Sequence, residues 1–150
     1  MRLRTQQRTG TTSVECAVVY PMVFLFTLGL LIGAAGIFRY QELASLARRA
    51  ARYASVHGAQ YAKDTGNPAP TPADIFNSQV APYAAALDAS KLSYSITYNN
   101  SNQPYHTTVS NGTVVSVTNT VTVTLTYQWF PEAFLGGMTL TSTSVMPMSY

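Results

Sequence analysis

Glu15 is the residue whose chemistry most needs explaining. It is the only charged side chain between Thr9 and Phe38, and it stands at the mouth of an apolar run. A carboxylate carried into hydrocarbon costs free energy, so such groups are usually paired or functional. Its spacing from Gly10 suggests a partner. Were the chain cut after Gly10, the new terminus would be Thr11 and the glutamate would be the fifth residue. Thr11 and Glu15 are i and i+4 on one helix face, so a new ammonium and the carboxylate could approach each other. The plain alternative is a charge lying at a membrane interface.

Other reactive residue types are present without a constellation. His57 and His106 have no carboxylate or cysteine at a metal-ligand or catalytic spacing, and each reads as a surface or helix-end residue. No serine lies in a Gly-x-Ser-x-Gly turn, and there is no phosphate-binding glycine loop. Asn99-Asn-Ser101 and Asn111-Gly-Thr113 match the glycosylation triplet, a frequent chance match in a chain rich in Asn, Ser and Thr. Cys16 is the one cysteine, so no intrachain disulfide forms. A lipid-attachment cysteine needs a small residue before it, and Glu15 occupies that place. Cys16 therefore reads as a small apolar residue. Enzymatic activity, a cofactor and a metal site are not expected.

These residues depend on one element for their position. Cys16 through Phe38 is 23 residues without a charge, which as a helix at ~1.5 Å per residue is about 35 Å, enough to cross a bilayer. Arg2, Arg4 and Arg8 flank it on one side and Arg39 on the other. Ala34-Ala35-Gly36 offers small residues for a cleaved secretory signal, but a signal's apolar core is shorter. An uncleaved anchor is the preferred reading. Pro21 removes one backbone hydrogen bond and should kink the helix near its cytoplasmic end. Gly29, Gly33 and Gly36 line up a small-residue face where another helix could pack closely; the alternative is that glycine is simply common in membrane helices.

The helical period continues past the apolar run. Leu43, Leu46, Ala47, Ala50, Ala51 and Ala54 recur at helical spacing, with Arg48, Arg49 and Arg52 on the other side. No glycine or proline intervenes before Gly58, so one helix from Val14 to Val56 is expected, about 65 Å at ~1.5 Å per residue. The arginines read as a solvated face or a lipid-headgroup contact.

Charge supports a topology. The net charge is +3, from nine basic and six acidic residues. Arg2, Arg4 and Arg8 all precede Gly10. Removing them leaves six of each sign, a net of zero. The basicity is thus an orientation signal and not a nucleic-acid footprint. It places the N-terminus in the cytoplasm and the following domain outside, although Arg39, Arg48, Arg49 and Arg52 blur the positive-inside count. Charged residues make up only 10% of the chain, against about 25% in globular proteins, which suits an extracytoplasmic or packed-fibre surface.

The remaining residues suffice for one small domain. Lys63 to Pro72 reads as a loop, and Thr71-Pro72-Ala73-Asp74 as a capped helix start with Ile75, Phe76 and Val80 facing inward. Pro82 should kink or end that helix, with a separate turn from Tyr83 to Leu87. From Leu92 the period becomes two. Strands are expected at Leu92–Tyr98 and Tyr105–Val109, in a dozen-residue alternating run containing Val115 to Tyr127, and at Thr139–Val145. Asn111-Gly112 is a tight-turn pair, Asn119 the polar break in the long run, and Gln128 to Gly137 a connection holding Trp129, Phe130 and Phe134. The economical assembly is a three- or four-stranded antiparallel sheet with one face covered by the long helix.

Gly10-Thr-Thr-Ser-Val-Glu15, preceded by arginines and followed by an apolar helix, resembles the cleavage site of type IV prepilins. Ser13-Val14-Glu15-Cys16-Ala17-Val18-Val19-Tyr20-Pro21 resembles the start of TadE-like minor pseudopilins of tight-adherence pili. Leu46-Ala47-Arg48-Arg49-Ala50-Ala51-Arg52-Tyr53-Ala54 resembles that family's next landmark. The match covers Thr9 to Ala54, about a third of the chain, and Cys16 departs from the usual aromatic. The resemblance implies an α+β pilin-like fold: a single N-terminal transmembrane helix extended into a small antiparallel-sheet domain. Its expected parts are a basic leader (1–10), a helix (11–57) and an extracytoplasmic domain (63–150). It also implies cleavage by a prepilin peptidase between Gly10 and Thr11 and assembly with other pilins; Glu15 is the expected assembly residue, and Pro21, Gly29, Gly33 and Gly36 are the expected helix-packing positions. The implied partners are other pilins and minor pseudopilins, the inner-membrane assembly platform and membrane lipid, with no nucleic acid. Two other readings stand beside it. One is a single-span anchor presenting a ligand-binding or sensor domain, and the other a secreted β-rich protein cut near Gly36.

Overall fold

The computed structural model describes residues 9–130 and 136–149. The expected leader arginines Arg2, Arg4 and Arg8, and Phe134 of the expected connection, lie outside the described residues. The chain divides into two compact units, Met1–Gly36 and Ile37–Tyr150. Helix α1 (Thr9–Val56) is continuous for 48 residues and contains Pro21. It ends at Val56, as the periodicity requires, but begins five residues before the expected Val14.

In the first unit α1 is apolar on every side. Val18, Met22, Phe24, Leu25, Phe26, Leu30 and Leu31 are all exposed. No residue of the most apolar window is buried, and the helix is long enough to cross a membrane. Within the apolar run the Thr27 hydroxyl donates to the Val23 carbonyl at 2.8 Å. The bond satisfies a polar group that hydrocarbon would leave unpaired.

In the second unit α1 has one buried face. Leu43, Leu46, Ala47, Ala50, Ala51 and Ala54 are between 0% and 3% exposed, whereas Arg48, Arg49 and Arg52 face solvent. This face packs against an antiparallel sheet ordered β1 (Leu92–Tyr98), β4 (Thr120–Trp129), β5 (Met138–Pro147). The sheet contributes Val121, Val123, Leu125, Tyr127 and Trp129, all from the central strand β4 and all on its inward side. Alanines on the helix permit close approach, and the larger side chains of β4 fill the space between. Ser149 N–H donates to the Ser55 carbonyl at 3.0 Å, tying the end of the chain to the end of α1.

Local signals in the sequence are realised. Helix α3 (Pro72–Ile75) starts on a capping box, with Thr71 as cap and Pro72 in the first turn. It continues through a π turn (Phe76–Val80) into a 3-10 turn (Ala81–Tyr83) at Pro82. Ile75 and Val80 are buried, and Phe76 stacks on Tyr94 with ring centroids 4.5 Å apart. The Asp74 carboxylate accepts from the Thr71 hydroxyl at 2.7 Å and from its N–H at 2.9 Å. Those bonds hold its pKa below the ordinary carboxylate value. A depressed folded pKa means the box contributes fully above the unfolded value and is lost as pH falls through the folded one. Thr71→Ala should therefore move the Asp74 titration upward, read by carboxyl-carbon NMR; an unmoved midpoint would contradict the box.

Three expectations need correction. The long alternating run is two strands in different sheets: β3 (Thr113–Thr118) pairs only with β2 (Tyr105–Ser110), and β4 belongs to the main sheet. Val115 and Val117 are accordingly exposed, while Val121 and Val123 are fully buried. Asn119 separates the strands because its own backbone leaves both ladders: its N–H donates to the Pro104 carbonyl at 2.9 Å, and its carbonyl accepts from Met148 N–H at 2.8 Å. Second, Gln128 and Trp129 are strand residues, paired with Thr139 and Met138. Third, Lys63 to Thr65 are helical, the end of α2 (Ala59–Thr65), which stops at Gly66 in the left-handed region at φ 72°. The Asn111-Gly112 turn forms as expected, with φ 51° and 78° closing a two-residue hairpin.

Candidate functional site

The candidate site is the N-terminal part of α1. Gly10, Thr11 and Glu15 all lie within the helix, so positions 11 and 15 are one turn apart on the same face. Glu15 is exposed, as are Val14, Val18 and Val19 around it. No other charge follows on the helix until Arg39. Pro21 lies inside the helix, which leaves the Ala17 carbonyl without its helical donor.

Gly29 and Gly33 are one turn apart, and a β-carbon built on either meets nothing within 4 Å. That side of the helix is open. Gly36, three residues further on, continues that side and is half-buried. The structure thus places the seven expected positions on one helix and gives Gly29 and Gly33 free space.

The histidines serve structure. His57 stacks on Tyr53 with ring centroids 4.0 Å apart, and its Nδ1 lies 3.0 Å from the Tyr53 carbonyl. It is a helix-end residue, as expected. His106 is instead a strand residue whose Nδ1 bonds the Asn119 Oδ1. Among the described residues no group of three or more His, Cys, Asp or Glu side chains could hold a metal ion. Tyr98 has its pKa raised by burial, and the Asp88 pKa is lowered by the hydroxyl and N–H of Ser90. Neither belongs to a cluster with reactive geometry.

Sequence reasoning missed Asn119 and Glu42. Asn119 is fully buried, and its Nδ2 donates to Ser101 Oγ and the Gln103 carbonyl, each at 3.0 Å. Glu42 Oε1 accepts from the Ala86 N–H at 3.0 Å, fixing the segment after Tyr83 to α1. Polar residues that bond to loops distant in sequence leave no periodic signal. A lone polar break inside an apolar pattern was the only available hint.

Residues 10–52 match the family described as TadE-like protein. The match begins on Gly10 and ends on Arg52, taking in Glu15, the apolar helix and the arginines. No curated protein and no solved structure matches the chain. The TadE-like family is a pilin-like structural family of the tight-adherence pilus and is not enzymatic.

Proposed function

We propose that this chain is a minor pseudopilin that is cut between Gly10 and Thr11 and assembles with other pilins of a tight-adherence pilus. The TadE-like match carries the reading, because it starts on the proposed cleavage glycine and runs through the whole apolar helix. The N-terminus lies in the cytoplasm, the helix crosses the inner membrane, and the residues beyond it form the extracytoplasmic domain. Prepilin peptidase, the inner-membrane assembly platform and membrane lipid are the partners this requires. Gly29, Gly33 and Gly36 supply the face for a neighbouring helix, an assignment favoured by the free space over Gly29 and Gly33.

The bond to be cut sits in the first turn of α1, where the first four N–H groups have no helical acceptor. A peptidase must open that turn. Glycine makes opening easier, being about 1 kcal/mol less favourable in a helix than alanine. Intact-mass analysis after co-expression with a prepilin peptidase should show a mature chain beginning at Thr11. Gly10→Phe should leave the precursor uncut, while Cys16→Phe should be processed normally. A wild-type chain that still begins at Met1 with active peptidase present would sink the proposal.

A further inference from the structure

Arg48, Arg49 and Arg52 line a cleft of about 510 Å³ together with Ser45, Leu46 and Tyr83. The volume falls within the ~300–1,000 Å³ of small-ligand sites. Arg49 is held in place: its Nε donates to Gln79 Oε1 at 3.3 Å, and its guanidinium lies over the Tyr83 ring, 3.4 Å from the centroid. A guanidinium has five N–H donors, so most of Arg49 remains available to a ligand. Arg48 and Arg52 are i and i+4 on α1, a like-charge pair that is unfavourable without a counter-ion.

No counter-ion comes from the described part of the chain. Among the described residues the carboxylates make their contacts elsewhere: Glu42 with the Ala86 N–H, Asp64 with Gln60, Asp74 with Thr71, and Asp88 with Ser90 and Lys91. The Ser45 hydroxyl donates to the Glu42 carbonyl at 2.8 Å, so its proton is already used. The cleft therefore presents three positive charges, one of them held against an aromatic wall, and no carboxylate among its lining residues.

We infer that this cleft binds a phosphate group through Arg48, Arg49 and Arg52. A carboxylate offers two oxygens and a single charge. A phosphate offers more acceptor oxygens and matches the fork geometry of several guanidinia at once. A phospholipid headgroup and a soluble phosphate share that chemistry. The inference does not depend on cleavage at Gly10 or on pilus assembly.

The test uses the full chain in uncharged maltoside micelles at low ionic strength, following the arginine Nε–Hε NMR signals. One titration adds inorganic phosphate, a second adds phosphatidylglycerol to the micelles, and chloride at matched ionic strength is the control. The Arg49 signal should shift saturably with phosphate, with phosphatidylglycerol, or with both, and not with chloride. Saturation by phosphatidylglycerol alone identifies a lipid headgroup; saturation by inorganic phosphate identifies a soluble source. The double variant Arg48→Gln/Arg52→Gln should weaken binding by about tenfold or more, as expected for lost charge-assisted bonds. Its side chains are exposed, and an unchanged near-UV spectrum checks the fold. No saturable shift in the wild type with either addition would overturn the inference, as would equal binding by a folded double variant.

Discussion

Glu15→Gln should leave membrane insertion and cleavage intact and remove the subunit from assembled complexes. On the proposed reading the carboxylate lies near the cytoplasmic interface before assembly, where water and headgroups satisfy it. When the helix joins a bundle, Val14, Val18 and Val19 become its surroundings, and an unpaired charge there is strongly unfavourable. On the proposed reading its partner is the amine of Thr11, on the same or an adjacent subunit, and the pair sets the axial register of neighbouring helices. Glutamine keeps the size and loses the charge. Breaking a buried pair by changing one partner costs about 3–5 kcal/mol, more than a hundredfold in association at about 1.4 kcal/mol per decade. An exposed pair would be worth about 1 kcal/mol or less, so the size of the effect separates the two environments. Wild-type and Glu15→Gln chains, expressed together with distinguishable tags, can be compared by their recovery with the pilus or its inner-membrane complex. Equal recovery would make Glu15 an interfacial charge and nothing more.

Asn119→Leu should produce the second large effect, in the domain and not in the membrane. The fully buried side chain holds Ser101, the Gln103 carbonyl and His106, so it joins the turn before β2, β2 itself and the start of β4. Leucine keeps the branched shape, in a larger volume, but leaves three polar partners without their bonds. At about 1 kcal/mol for each bond the loss is roughly 3 kcal/mol, a fall of about 10 °C or more in Tm for a domain of this size. The fluorescence of Trp129, which is 4% exposed, reports unfolding of this unit apart from the membrane helix. Amide exchange should rise first in β2 and β3, because Asn119 is their side-chain link to the main sheet. Asn100→Leu, on the exposed turn, is the control and should change little. A stable Asn119→Leu chain with a protected hairpin would show that the network is dispensable.

Features whose physics is local could be read along the chain. The buried face from Leu43 to Ala54 was legible because apolar residues at helical spacing must share one side of a helix. Thr71 with Asp74, and Asn111 with Gly112, were legible because a cap and a tight turn are decided within four residues. The apolar segment from Cys16 to Phe38 was legible because its length and lack of charge suit few other environments. Gly10, Thr11 and Glu15 owe their candidacy to a short motif that resembles a prepilin cleavage site, and a motif of six residues is local too.

How the strands are shared between sheets depends on contacts distant in sequence. Val115 and Val117 follow the same alternation as Val121 and Val123, yet the first pair is exposed and the second buried. Alternation says that a residue faces one side of a sheet, not which sheet, or what covers it. Asn119 makes the division, through bonds to Ser101, Gln103, Pro104, His106 and Met148 that no window of sequence contains. The arginine cleft has the same origin. Arg48, Arg49 and Arg52 read as a solvated face, because the residues that orient Arg49, Gln79 and Tyr83, arrive from at least 30 positions away. Helix periodicity could assign these arginines to a side, but only the folding of the Pro82 turn back onto α1 could make that side a cleft.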